Sequence, residues 1–83
     1  MGIAAEPSGS LLVIVFDSGS VVRISRSGRK ETVARGFTTP YGLTRAPDGT
    51  LYVTEAGEVS RATGRLVRIA RDGTRTTIPL HDA

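Results

Sequence analysis

Residues 40–57 read PYGLTRAPDGTLYVTEAG. A Pro-Asp-Gly turn at 47–49 separates two short runs rich in Leu, Val, Thr and Tyr, the composition of two paired β-strands. Forty residues upstream, residues 1–19 carry a weaker copy, MGIAAEPSGSLLVIVFDSG. Sliding the chain by forty aligns Gly2 with Gly42, Pro7 with Pro47, Gly9 with Gly49, Leu11 with Leu51 and Val13 with Val53. After an insertion the offset becomes forty-five. It then aligns Gly19 with Gly64, Val22 with Val67, Arg23 with Arg68, Ile24 with Ile69, Arg26 with Arg71, Gly28 with Gly73 and Thr32 with Thr77. These twelve identities, five plus seven, fall at turns and strand centres, so the chain is an internal repeat.

Each copy parses into four strands, at 2–6, 11–16, 20–25 and 30–34 in the first and at 42–46, 50–55, 65–70 and 74–80 in the second. Ser-Gly and Asp-Gly at the joints put glycine where a tight hairpin needs positive φ. No stretch keeps a helical period over about ten residues. The expected organisation is one four-stranded unit over 1–39, a second over 40–80, and a tail at 81–83.

The pattern within the strands bears on architecture. A sheet with one wet face alternates apolar and polar residues, whereas LLVIVF at 11–16 is apolar on both faces, and VVRI at 21–24 and LVRI at 66–69 are nearly so. Such a sheet must be covered on both sides. Two units cover each other on one face only, which leaves two apolar faces open. A sandwich of two sheets would give each sheet a polar face, which the 11–16 run lacks. The expected fold is therefore all-β, with two four-stranded antiparallel β-propeller blades per chain that close into a propeller by oligomerisation.

Size and composition agree. Eighty-three residues make one small domain, for which a disulfide, a metal or a partner is the usual reinforcement. Cysteine is absent and His81 is the lone histidine, which excludes disulfides and His- or Cys-based metal sites and leaves oligomerisation. The formal charge of +3 comes from ten Arg and one Lys against eight acids. The arginines are dispersed from Arg23 to Arg75, the distribution of a solvated surface more than of a nucleic-acid face. No run approaches the ~20 apolar residues of a membrane span. The six-residue run at 11–16 lacks the basic flank of a signal peptide, and Glu6 stands where a myristoylation motif wants Ser or Thr. A soluble chain is expected, with its compartment left open.

PYGLTRAPDGTLYVTEAG followed by GRLVRIARDGTRTTI resembles the blade repeat of the NHL and SMP-30-like propeller group, which includes ScyD-type proteins and streptogramin lyases. The resemblance covers both copies, from Gly2 to about Leu80. It implies a fold more than an activity, since the group contains hydrolases, lyases, RNA binders and protein binders. Its propellers carry about six or seven blades, and this chain carries two, beginning at an innermost strand and stopping after an outermost one. Whole-chain packing between subunits would close the ring. Three chains give six blades and four give eight, and the trimer is favoured because six is common in the group. The expected partner is thus the chain itself. A ligand-binding propeller for sugar, peptide or RNA, and a piece of an SMP-30-like hydrolase or lyase, are the alternatives.

The resemblance also implies where to look for a site. Innermost strands line a propeller's channel, and here their charged members are Glu6 and Arg45. Each would recur around a ring and could hold an ion, pair with the other, or be solvated. Asp17 and Glu55 end the second strands, but the Asn that SMP-30-like enzymes use to hold a divalent cation has no counterpart, because the chain contains no Asn. The general-base His of streptogramin lyases has no counterpart near the channel either, since His81 follows the last strand. Neither a Ser-His-Asp set nor a phosphate-cradling Gly-rich loop is present. No catalytic residue, metal site or cofactor is expected. The divergent loop AGEVSRATG at 56–64 is polar through Glu58 and Arg61, with Glu55, Tyr41 and Tyr52 nearby, and is the place to expect binding. Arg23 and Arg68 occupy equivalent third-strand positions and are expected to pack their stems and pair with a neighbouring blade's carboxylate.

Overall fold

The turn glycines and the β-rich runs between them set the elements. The computed structural model describes residues 2–56 and 64–79. Its strands are β1 (Ile3–Ala5), β2 (Leu11–Val15), β3 (Ser20–Ile24), β4 (Lys30–Ala34), β5 (Pro40–Arg45), β6 (Leu51–Glu55), β7 (Arg65–Ile69) and β8 (Arg75–Pro79). They form two four-stranded antiparallel sheets, ordered β1-β2-β3-β4 and β5-β6-β7-β8. The largest boundary difference is at β5, which starts at Pro40 because a bulge between Pro40 and Gly42 lets the ladder continue past Tyr41.

Four turns share one closure. Gly9, Gly28, Gly49 and Gly73 donate their N–H to the carbonyls of Glu6, Ser25, Ala46 and Ala70, three residues back, at 2.9 Å each. Each is a type I turn ending on a left-handed glycine, with φ between 91° and 95°. In the second copy Asp48 and Asp72 add a side-chain bond, accepting from the N–H of Thr50 and Thr74 at 2.9 Å.

The two sheets pack face to face, touching through β1 with β5 and β2 with β5. Leu12, Ile14 and Val21 of the first sheet meet Leu51, Val53, Val67 and Ile69 of the second, with Ala34 and Phe37 completing the core. Residues directly opposite in a ladder share a face, so the register identifies what each sheet leaves outside. The first sheet's free face carries Ile3, Val13 and Val22 in one row and Leu11 and Ile24 in the next, with Val15 beyond. Ile3 is 58% exposed, and Leu11 and Val15 are 39% exposed each. The second sheet's free face carries Thr54, Leu66 and Ile78 in one row and Thr44, Tyr52, Arg68 and Thr76 in the other.

One expectation is corrected here. The first sheet's free face is apolar, but the second sheet's is mixed, because Tyr52 and Thr54 stand where the first copy has Leu12 and Ile14. The two sheets also use opposite faces. The second sheet buries Leu51 and Val53, whose repeat equivalents, Leu11 and Val13, lie on the face the first sheet leaves open.

Residues 35–39 bind the sheets together. Phe37 is buried, and its N–H donates to the Gly19 carbonyl at 2.9 Å. The Arg75 guanidinium lies 4.6 Å from the Phe37 ring centroid and donates to the Arg35 carbonyl at 2.6 Å. The N–H of Ala56 donates to the Thr39 carbonyl at 3.0 Å. Gly19 has φ 61°, and a Cβ there would collide with the Phe37 carbonyl oxygen, whereas a Cβ on Gly28 would meet open space. Gly19→Ala is therefore expected to lower stability by about 2 kcal/mol more than Gly28→Ala, which bears only the left-handed backbone cost. Equal denaturant midpoints for the two variants would refute the close approach.

Candidate functional site

Glu6 lies one residue past β1, and Arg23 sits in the middle of β3, where the register sets Glu31 of β4 directly opposite. Arg23 forks onto Glu6, with Nε to Oε1 at 2.8 Å and Nη2 to Oε2 at 3.2 Å, while Nη1 reaches Glu31 Oε1 at 2.9 Å. The Arg23 hydrogen bond holds the Glu6 carboxyl below its ordinary 4.5; partial burial opposes this, and the charges of Arg23 and Arg45 reinforce it. Arg23 is pushed up in turn, chiefly by its bond to Glu6. Its carboxylates come from its own sheet, correcting the expectation of a neighbouring blade's, because antiparallel pairing places Glu31 across the ladder at no cost in chain geometry.

A pH dependence follows from the depressed Glu6 pKa. Its stabilising contribution is complete well above 4.5 and is lost as pH falls below that value through the folded-state pKa. Glu6→Gln is expected to flatten the decline of the thermal midpoint on acidification below about pH 4.5. An unchanged acid limb would show that other carboxylates carry it.

The remaining candidates are dispersed. Arg45 ends β5 half-buried, and its Nη1 donates to the Ala46 carbonyl at 3.3 Å. Tyr41 sits in the β5 bulge and is exposed, while Tyr52 lies half-buried on the second sheet's free face. Glu55 is 5% exposed. Its Oε2 accepts the Thr38 N–H, and its Oε1 lies 3.2 Å from Arg65 Nε, an ion pair in which that N–H finds no hydrogen-bond acceptor among the described residues. Glu55 thus joins the connecting segment to the second sheet. Glu58, Arg61 and His81 lie outside the described residues. Asp17 is exposed in the β2–β3 turn.

Sequence reasoning did not single out Glu31 or Thr38. Glu31 was within reach by counting the antiparallel register from the 26–29 turn, but Thr38 contributes only a backbone N–H, which leaves no mark on residue type.

Toward β4 and the β7–β8 turn the sheets part into a cleft of about 330 Å³. Arg23, Glu31 and Val33 form one wall, and Ile69, Arg71 and Asp72 the other. The Arg71 stem lies across Gly49, 3.0 Å from where a Cβ would stand, and the Arg26 stem lies across Gly9 in the same way. Charge in the cleft is balanced internally, Arg23 by Glu6 and Glu31, while the Asp48 carboxyl is held low chiefly by its hydrogen bonds from Thr50 and least by the charge of Arg71. Among the described residues no three His, Cys, Asp or Glu side chains gather as a metal site, and no helix is long and apolar enough to cross a membrane. No protein-family model matches the chain, and a search of curated proteins finds no significant match.

Proposed function

We propose that this chain is a self-assembling module whose copies pack head to tail into a closed propeller, three chains forming six blades. One observation above the others supports the ring. The seam inside the chain joins the Leu12–Ile14 face of the first sheet to the Leu51–Val53 face of the second. What stays free is the first sheet's equivalent of Leu51 and Val53, at Leu11 and Val13, and the second sheet's equivalent of Leu12 and Ile14, at Tyr52 and Thr54. The chain therefore presents, on its two outer faces, the repeat counterparts of the two faces that it already mates, one of them apolar and the other mixed. Two complementary patches that are not the same patch generate a head-to-tail interface, which must close into a ring or run on as a filament. The apolar free face, with Ile3, Leu11 and Val15 well exposed, supplies a reason to close it.

Absolute mass in solution, by light scattering behind a sizing column, tests the ring. Three protomers give about 26 kDa, three times 8.8 kDa. Four would keep the head-to-tail contact and make eight blades. A stable folded monomer would refute the assembly.

A further inference from the structure

The repeat that supplies the seam also specifies what a subunit seam would contain, and its cleft differs from the one inside the chain most of all in charge. Inside the chain the cleft has Arg23 and Glu31 on one wall and Ala70, Arg71 and Asp72 on the other. Advancing the first wall by forty-five residues gives Arg68 and Thr76, and moving the second back by forty-five gives Ser25, Arg26 and Ser27. Both arginines persist, and the acids do not. Glu31 becomes Thr76, Asp72 becomes Ser27, and Glu6, which shares Arg23 with Glu31, becomes Ala46 at the forty-residue offset.

We infer that the ring proposed above carries, at each junction between subunits, an anion-binding site made by Arg68 of one chain and Arg26 of the next. Both halves are in position in the single chain. Arg68 lies on the second sheet's free face beside Thr76 and is exposed, as the ladder and burial require for a residue facing a neighbour not yet present. Arg26 is exposed with its stem laid across Gly9, the counterpart of Arg71 across Gly49, so its guanidinium is held at the mouth of the same kind of cleft. Ser25 and Ser27 are already coupled, Oγ to Oγ at 2.9 Å, and the Ser25 hydroxyl accepts the Arg29 N–H at 3.0 Å. Two guanidiniums in a cleft without a carboxylate repel each other until an oxyanion bridges them, and planar N–H forks suit phosphate or carboxylate oxygens. The ligand class is a small molecule bearing a phosphate or carboxylate group. A lone subunit holds only half of the site.

Inorganic phosphate is the probe, read by titration calorimetry on the assembled protein, with mass checked by light scattering on the same samples. One phosphate per junction is expected. Arg68→Gln and Arg26→Gln should each abolish uptake while the mass stays that of the ring, and Arg71→Gln, which changes only the cleft inside the chain, should leave uptake intact. Co-refolding equal amounts of the Arg68→Gln and Arg26→Gln chains should restore about a quarter of wild-type capacity, because one junction in four then pairs two intact halves. A ring that takes up no phosphate, or that loses it equally with Arg71→Gln, overturns the site and leaves the ring standing. A monomeric wild-type chain removes both.

Discussion

Val13→Lys is expected to reduce the proposed ring to a folded monomer: scattering mass should fall from that of the ring to 8.8 kDa, with the far-ultraviolet spectrum unchanged. Val13 stands at the middle of the first sheet's free face, between Ile3 and Val22 across the ladders, and takes no part in the core between the sheets. A lysine there is solvated in the lone chain and would be buried without a partner in the subunit seam. Burying an unpaired charge costs several kcal/mol even after relaxation, and about 4 kcal/mol weakens each junction roughly a thousandfold. The equivalent substitution on the face that is mated within the chain, Val53→Lys, acts differently. Val53 is fully buried, so that chain is expected to unfold outright. Two equivalent valines with two outcomes, dissociation and unfolding, would be the signature of a seam met once within the chain and once between chains. A Val13→Lys protein with the wild-type mass would refute the free face as an interface.

Glu55→Ala is expected to lower the thermal midpoint by roughly 15 °C, which for a chain of this size corresponds to about 3 kcal/mol. The cost has two sources. The Thr38 N–H loses its acceptor, and Arg65 keeps a partly buried charge beside a vacated partner. The repeat offers a compensated alternative, since Glu55 and Arg65 correspond to Val15 and Ser20 in the first copy. Glu55→Val alone should be destabilising, because it strands Arg65. The double change Glu55→Val with Arg65→Ser removes both charges of a pair buried on the Glu55 side and half-exposed on the Arg65 side, and should recover more than half of the loss. Calorimetric midpoints for the two single variants and the double decide the matter, and simple additivity would show that the pair is not coupled.

The sequence was most legible where residue type and backbone conformation are locked together. Gly9, Gly28, Gly49 and Gly73 sit at positive φ in four closures of one kind, and the strands between them fall within two residues of where the turns put them. What the turns did not reveal was which face of each strand is covered. LYVTE at 51–55 alternates, and its odd members, Leu51, Val53 and Glu55, are the buried ones. The doubly apolar LLVIV of the first copy hides the same alternation, because a strand apolar on both sides carries no polar mark to orient it. Candidate sites were harder. By sequence Glu6 and Arg45 are channel charges open to an ion, to each other or to solvent, whereas Glu6 is committed to Arg23 through a register that only strand pairing supplies. Glu55, an acid at a loop mouth by sequence, is buried because a backbone N–H from a separate segment turns toward it. Contacts made by backbone groups far along the chain are the part that composition cannot carry.

Every strand in both sheets pairs only with its neighbour along the chain. For the order of folding this has a consequence. Each hairpin closes over at most the nine residues 56–64, so entropy opposes it little, whereas docking one sheet on the other must join segments about forty residues apart. The hairpins are expected to come first, with docking as the late step at which cooperativity is gained. A freshly formed pair of sheets then meets a choice of partner, its own other half or that of another molecule. The connection of residues 35–39, stapled by Phe37 and Arg75, raises the effective concentration of the internal partner and decides that race in its favour. Lengthening that connection would leave the sheets intact and hand the decision to protein concentration.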